Sequence, residues 1–314
     1  MPPKIAVITG PTATGKTVLG TLLALSLNGE VVSADSMQIY REMDIGTAKP
    51  SKEDMMGVPH HMIDVAEASA NYSAARYAEE AAACVDKILA RGKLPVVVGG
   101  SGLYVDSLVL GRSFAQSPRN SEIRAQLSSE YDFSGGEEML KRLWKIDPQR
   151  AQKLHPADKR RIVRALEVYS LTGRTITEHD EETKKIPPRY DAAYIILNYK
   201  NREDLYARID ERVDKMIEVG LFEEVSRLLS SGISDNCTAM QAIGYKEAAA
   251  ALRGEIEKQE AVDLIKRESR RYAKRQVTWL NSRSDALHIL WEKAPDFDFA
   301  RRFSTKYLAD FGIK

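Results

Sequence analysis

Apolar and polar positions fall into alternating blocks along the first hundred residues. Residues 4–8, KIAVI, form a β-branched run that stops at Gly10. Residues 16–27 then place Leu19, Leu22, Leu23 and Leu27 at helical spacing. The chain opens strand, glycine loop, helix. VVSAD at 31–35 reads as a second buried strand. Residues 73–91 are alanine-rich, helical in period, and stop at Arg91-Gly92. LPVVVGGSG at 94–102 is an apolar strand ending in a glycine turn. Strands alternating with helices predict a parallel α/β sheet.

The pattern changes after Gly111. From about 113 to 190 there is helical periodicity but no strand signal, and Ser117-Pro118, Asp147-Pro148, His155-Pro156 and Pro187-Pro188 punctuate the stretch. YIILNY at 194–199 reads as a return to the sheet, and 203–280 as helical with a break near Ser231 to Asn236. The expected layout is a phosphate-loop NTPase-like parallel-sheet core with C-terminal helices, residues 1–112 and 191–314, interrupted by an all-helical insertion domain at 113–190.

Composition narrows the class. The chain has 314 residues, 43% of them hydrophobic, enough for a sizeable core. Lys plus Arg is 46 against 45 Asp plus Glu, so only local clusters can speak to a nucleic-acid partner. No apolar run approaches the roughly 18 residues of a membrane helix. Met1-Pro-Pro-Lys enters a strand at once, which leaves no room for a secretory signal. Two cysteines, Cys84 and Cys237, cannot build a disulfide framework or a four-ligand zinc site. The expected compartment is the cytosol.

The strongest motif is GPTATGKT, Gly10 to Thr17, which fits G-x-x-x-x-G-K-[ST]. A chance match in a chain of this length is on the order of one in a hundred, and this one lies between a strand and a helix, as the motif requires. Its glycines let backbone N–H groups turn toward phosphate oxygens. The helix N-terminus adds partial positive charge. Lys16 adds a full one, and Thr17 can ligate Mg²⁺. NTPases of this class also hold Mg²⁺ with an acid at another strand end. Here only VVSAD ends in an acid, Asp35, so the loop can serve a diphosphate without hydrolysing a nucleoside triphosphate.

Other constellations carry two readings each. Asp35, followed by Ser36, Met37 and Gln38, sits where a parallel sheet gathers ligands and can act as a general base or as a cap. Gly99-Gly100-Ser101-Gly102 permits close backbone approach, or is a plain turn. His60-His61 fits loop hydrogen bonding better than a metal, because adjacent histidines do not share a face. Arg208 and Arg212, four apart, share one helix face, either salt-bridged at the surface or reaching a leaving phosphate. Residues 264–283 hold seven basic residues and one acid. Lys266, Arg270 and Lys274 form one row and Arg267, Arg271 and Arg275 the next, with Tyr272 and Trp279 between. Such a face is either solvated or meets a phosphate backbone. Lys159, Arg160, Arg161 and Arg164 make a second basic knot, and two knots suggest a long anionic ligand.

In order along the chain, GPTATGKT, DSMQIYREMDIGTAKP, PHHMID, GGSGLY, RRIVRALEVY, AIGYKE and YAKRQVTW resemble the tRNA dimethylallyltransferase family, the bacterial tRNA isopentenyltransferases. The resemblance runs from the first strand to about residue 280. It departs at Ser101, where the family commonly has Thr. The cysteine-ligated zinc finger of animal and fungal members has no counterpart in a chain with two cysteines. The resemblance implies transfer of the dimethylallyl group of dimethylallyl diphosphate to N6 of the adenosine 3′-adjacent to the anticodon in tRNA, with Mg²⁺ as cofactor and no obligate protein partner.

On this reading Asp35 takes the N6 proton, and Lys16, Thr17 with its Mg²⁺, and an arginine stabilise the leaving group. Arg208 is the first choice by resemblance and Arg212 the second. Gly10, Thr12, Ala13, Thr14, Gly15, Lys16, Thr17 and Ser101 would bind the diphosphate. Asp35, Ser36, Met37, Gln38 and Ser101 would meet the target nucleotide, which must leave its stack. The resemblance adds Arg124, Lys159, Arg160, Arg161, Ile162, Val163, Gln241, Tyr245, Lys246, Lys274, Arg275 and Gln276 as tRNA contacts of the anticodon stem-loop. The rivals are a small-molecule or nucleotide kinase, which would consume ATP, and an RNA-binding module with a degenerate phosphate loop, which would turn nothing over.

Overall fold

A computed structural model describes residues 1–111 and 121–313; the Ser117-Pro118 turn signal lies outside them. The chain forms two compact units, Met1–Val109 with Pro188–Lys314, and Leu110–Pro187. The first unit starts with β1 (Lys4–Thr9), α1 (Lys16–Ser26), β2 (Gly29–Ser33), α2 (Lys52–Met55), β3 (His60–His61), α3 (Ala74–Ala90), β4 (Leu94–Val98) and α4 (Gly102–Leu110). The second holds α5 (Ser121–Ser134), α6 (Gly136–Ile146), α7 (Pro148–Ala151), α8 (Lys159–Thr172) and α9 (Ile176–Lys184). The first unit resumes with β5 (Asp191–Tyr199), α10 (Arg202–Val219), α11 (Leu221–Ser230), α12 (Tyr245–Leu252), α13 (Lys258–Leu280), β6 (Leu287–Trp291) and α14 (Phe297–Asp310).

The six strands form one sheet in the order β3-β2-β4-β1-β5-β6, with every pairing parallel. Strand β1 lies between β4 and β5, and its Ala6 faces Val96 on one side and Ala193 on the other. Its residues alternate between two cores. Ile5 and Val7 pack with Tyr77, Val85 and Ile88 of α3 and with Tyr104 and Leu108 of α4. Ala6 and Ile8 pack with Leu19 and Leu23 of α1, Ile209 of α10 and Leu308 of α14. A strand covered on both faces has no polar side to show, so β1 and β4 read as apolar runs, while β2 carries the buried Glu30.

Two strands escaped the sequence pattern. β3 has only two residues, both histidines, and is held by pairing to Val31 and Val32. β6 is an edge strand whose exposed His288 and Leu290 alternate with buried Ile289 and Trp291, a five-residue signal too short to stand out. Strand β2 stops at Ser33, two residues earlier than its apolar run suggests, which leaves Asp35 on the turn beyond it.

Residues 110–187 have a core of their own, built from Leu127, Met139, Leu143, Ile162, Val163 and Leu166. Glu167 is fully buried in this unit, and its carboxylate takes Arg124 at 2.7 Å and Arg164 at 2.9 Å.

In the sheet unit, Glu30 of β2 is buried with Nε2 of His61 at 2.7 Å, Arg91 at 2.6 Å and Lys93 at 2.9 Å. Burial would raise its pKa, but the His61 bond and the two cations overcome it and hold the carboxyl down at about 2. A depressed pKa contributes stability above the ordinary value near 4.5, and that stability disappears as pH falls toward 2. We predict that Glu30→Gln lowers the neutral-pH Tm by about 5 °C and flattens the acid loss between those two values. Parallel Tm-against-pH curves for wild type and variant would contradict this.

Candidate functional site

In an all-parallel sheet the turns that follow the strands emerge at one edge. Here the turns after β1, β2 and β4 are tied together by backbone bonds. Gly99 N–H donates to the Ile8 carbonyl at 3.1 Å, Ala34 N–H to Val98 at 2.7 Å and Ser101 N–H to Ala34 at 3.3 Å. Gly99 and Gly100 make this approach possible, since a Cβ on the first would strike the Ala34 backbone and on the second the Gln276 amide.

The phosphate loop is ordered by its own side chains. The Thr14 hydroxyl donates to the Pro11 carbonyl at 2.8 Å, and Lys16 Nζ donates to the same oxygen at 2.7 Å. Ala13 takes a positive φ of 66°, a strained conformation for a residue with a Cβ. Helix α1 starts after Gly15 with no side-chain cap, so its first amides are left for an anion. Thr12 differs: its N–H is already taken by Gln276 Oε1 at 2.9 Å, which removes it from the expected set of free phosphate-binding amides.

Asp35 is oriented by its own turn. Its Oδ1 accepts the N–H of Met37 at 2.8 Å and of Gln38 at 3.3 Å, which leaves Oδ2 for a ligand. Asp35 lines two cavities that also share Thr12, Arg212 and Tyr272. The smaller, about 80 Å³, is polar and is lined by Lys16, Thr17, Gln38, His60 and Gln276. The larger, about 300 Å³, has an apolar lining of Met37, Ile209, Val213, Met216, Ile243 and Ile265, with Ser36 and Arg275 added.

Charge at this junction is out of balance. Burial, and then the positive charge of Arg212, push the Lys16 ammonium down to about 7, with Asp35 opposing. Burial also lowers Arg212, again against Asp35. Among the described residues no carboxylate lies within ion-pair distance of Arg212; its hydrogen bond is a long one, 3.5 Å to the Thr47 carbonyl. Lys16 and Arg212 thus face one carboxylate, and a polyanion restores the balance. Burial and then Asp35 push the Tyr272 hydroxyl up to about 12, so it stays a proton donor at the wall common to both cavities.

The structure redistributes several expected roles. Arg208 does not line either cavity; it is half exposed and paired with Glu211 at 2.5 Å. One turn along α10, Arg212 reaches the site instead. Gln276 is buried, and its amide accepts the Thr12 N–H and donates to the Gly100 carbonyl at 2.9 Å, so it joins two loops at the wall of the smaller cavity. Ser101 lines neither cavity; its Oγ accepts the Ser36 N–H at 3.1 Å and so pins the turn that carries Asp35. Ile162 and Val163 are buried in their own unit's core, out of reach of any RNA. Tyr245 lines the larger cavity, but its hydroxyl donates to buried Glu224 at 2.6 Å. Gln241 also lines that cavity, while Lys246 lies 3.4 Å from Glu247.

The basic rows are largely neutralised. Lys266 pairs with Asp214 at 2.6 Å and Arg270 with Asp210 at 2.5 Å, both acids of α10, and Glu268 serves Arg267 and Arg271. Asp210 and Asp214 lie on the helix packed against α13, so no local stretch of sequence shows these two pairings. Lys274 and Arg275 keep no carboxylate among the described residues, and Arg275 sits over the Tyr272 ring. In the helical unit Lys159 pairs with Asp132 at 2.6 Å and Arg124 with Glu167, while exposed Arg160 and Arg161 keep none among the described residues. Tyr272, interleaved with the cations in sequence, faces inward to line both cavities.

A parallel sheet with an uncapped glycine-loop helix, an excess of cations beside one oriented carboxylate, and an apolar chamber next door defines a phosphate-loop α/β protein built to hold a polyanion beside an apolar group. Residues 38–283 match the family model described as IPP transferase. The chain belongs to the IPP transferase family. It is 49% identical over 280 residues to the tRNA dimethylallyltransferase of Caldanaerobacter subterraneus, covering 89% of each chain. It is 44% identical over 312 residues to that of Acetivibrio thermocellus, covering 98% of each. Among solved structures, the tRNA isopentenylpyrophosphate transferase of Bacillus halodurans superposes with a TM-score of 0.72 at 38% identity, over 99% of this chain and 98% of that one. A eukaryotic dimethylallyltransferase acting on tRNA gives 0.82 at 30% identity, over 98% and 80%.

The contrast between the two arginines is testable. Arg212→Gln is predicted to weaken inorganic pyrophosphate binding by about ten- to a hundredfold, and Arg208→Gln to leave it near wild type, by calorimetry. Equal losses would return Arg208 to the site.

Proposed function

We propose that the chain is a tRNA dimethylallyltransferase. It moves the dimethylallyl group of dimethylallyl diphosphate to N6 of the adenosine 3′-adjacent to the anticodon and releases diphosphate. The observation that carries this reading is the pair of cavities joined at Asp35 and Arg212, one polar and cationic, the other apolar. Phosphoryl transfer to a small polar acceptor would leave the apolar chamber at that junction empty. A binding module has no use for a carboxylate with one oxygen held and the other turned to the site.

The new bond forms between N6 of adenine and the allylic carbon, and the bond between that carbon and the diphosphate oxygen breaks. The exocyclic amine is a poor nucleophile, since its lone pair is delocalised into the ring. Asp35 Oδ2 accepts the N6 proton as the bond forms. Lys16, Arg212 and the open amides of α1 receive the charge that develops on the leaving diphosphate. Tyr272 donates a hydrogen bond from the common wall. The apolar lining accommodates uncharged parts of the two substrates.

The donor set suits Mg²⁺. No group of three or more His, Cys, Asp or Glu that could hold a metal occurs among the described residues, and Mg²⁺ needs only one or two protein oxygens when phosphates and water supply the rest. The Thr17 hydroxyl would be the protein ligand, with the Asp35 carboxylate lining the same cavity. Bound there, the ion would neutralise part of the diphosphate charge.

Lys274, Arg275, Arg160 and Arg161 are the cations we assign to the tRNA backbone, because no carboxylate competes for them among the described residues. Met37, Ser36 and Gln38 are assigned to the extruded nucleotide. The reading includes a cytosolic chain that works as a monomer, since one chain supplies every group the transfer needs. Among the described residues no helix is long and apolar enough to cross a membrane.

Incubation with unmodified tRNA, Mg²⁺ and labelled dimethylallyl diphosphate tests the whole reading. We expect label on an adenosine beside the anticodon, and its absence beside an active control enzyme would overturn the assignment. Asp35→Asn keeps Oδ1 for the turn but removes the base, so turnover should fall by about 10²–10⁴ with tRNA affinity retained. Removing Lys274 and Arg275 together should reduce the slope of log affinity against log salt by about 1.5; an unchanged slope would return that face to solvent.

A further inference from the structure

The residues matched by the family model end at 283, yet two side chains beyond that point hold the phosphate loop. Trp291 ends β6, opposite Tyr199 in register, and its carbonyl accepts the Lys200 N–H at 2.9 Å. Parallel pairing puts this strand end at the edge of the sheet where the loop after β1 emerges. The Trp291 ring is 3% exposed and packs in the same core as Leu19 and Leu23 of α1. A buried indole N–H needs an acceptor, and here it donates to the Thr14 carbonyl at 3.0 Å.

That carbonyl belongs to the peptide plane joining Thr14 to Gly15. In a trans peptide the C=O and the following N–H point in opposite directions. Holding the Thr14 oxygen outward therefore aims the Gly15 N–H at the loop interior. Gly15 has φ +81°, and the place its Cβ would take is filled by the Phe297 ring. Phe297 in turn meets Trp291 edge to face, with centroids 5.8 Å apart at 69°. Gln276 does the opposite job: it occupies the Thr12 N–H. The ties from Thr14 and Lys16 to Pro11 are internal to the loop. Trp291 is the external tie that bears on a phosphate-facing amide.

We propose that Trp291, backed by Phe297, is a positioning residue of the diphosphate site, and that the C-terminal strand and helix are thereby part of the catalytic apparatus. The proposal rests on the reading of the loop as the diphosphate site. Trp291→Phe keeps an aromatic ring and removes the hydrogen bond. We expect the KM for dimethylallyl diphosphate and the Kd for inorganic pyrophosphate to rise about tenfold, while the KM for tRNA stays within about twofold of wild type. Phe297→Leu leaves the indole in place and opens the space beneath Gly15; it should move the same two constants in the same direction, and it decides the matter if the tryptophan variant does not fold. Wild-type constants in the folded variants overturn the proposal. So does a parallel rise in both KM values together with a fall in Tm, which marks general loosening. A wild-type chain that binds pyrophosphate but labels no tRNA overturns the transferase reading, and the pyrophosphate arm then decides this proposal. A wild-type chain that binds no pyrophosphate overturns both.

Discussion

The structure depends on one constraint: all six strands run the same way. Parallel strands send their following turns to a single edge, and each turn must pack against its neighbours because both faces of the sheet are already covered. The phosphate loop, the turn bearing Asp35 and the Gly99–Gly102 turn are therefore neighbours by topology, although about ninety residues separate the first from the last. The short backbone bonds among Ile8, Ala34, Val98, Gly99 and Ser101 are how that crowding is resolved.

What the crowding builds is an electrostatic deficit. Lys16 and Arg212 face one carboxylate across a small polar cavity. Burial makes each cation's charge costly until an anion arrives. The same junction opens on an apolar chamber, so a ligand with a charged head and an uncharged tail satisfies both sides at once. Asp35 stands at the junction of the two cavities, where the proposed displacement needs a base.

The parts of this arrangement that could be read from the chain are contiguous. Gly10 to Thr17 is a local motif whose function follows from backbone geometry over eight residues, and the apolar strands announce themselves because both of their faces are buried. The parts that could not be read are made by contacts across the chain. Arg208 and Arg212 share a helix face, and only the packing of α10 decides that one meets Glu211 and the other the cavity. The cationic rows of α13 looked unopposed because Asp210 and Asp214 lie on a different helix. Gln276 and Ile162 were assigned to RNA from motifs that contain them, but a motif can mark a residue that supports a site from behind. Trp291 lay in an edge strand too short to be seen.

The distances along the chain between the phosphate loop and its supports have a consequence for how the protein is made. Gln276 bonds to a residue 264 positions earlier, and Trp291 to one 277 positions earlier. A ribosome makes the loop 277 residues before it makes the indole. Until Gln276 and Trp291 have been made, the nascent chain carries a glycine-rich loop without these two anchors, and the non-local pairing that adds β6 to the sheet is a slow class of folding event. On the role proposed for Trp291, substrate binding is coupled to the synthesis of β6: a polypeptide released before that strand would contain the whole loop sequence and still lack the indole bonded to Thr14.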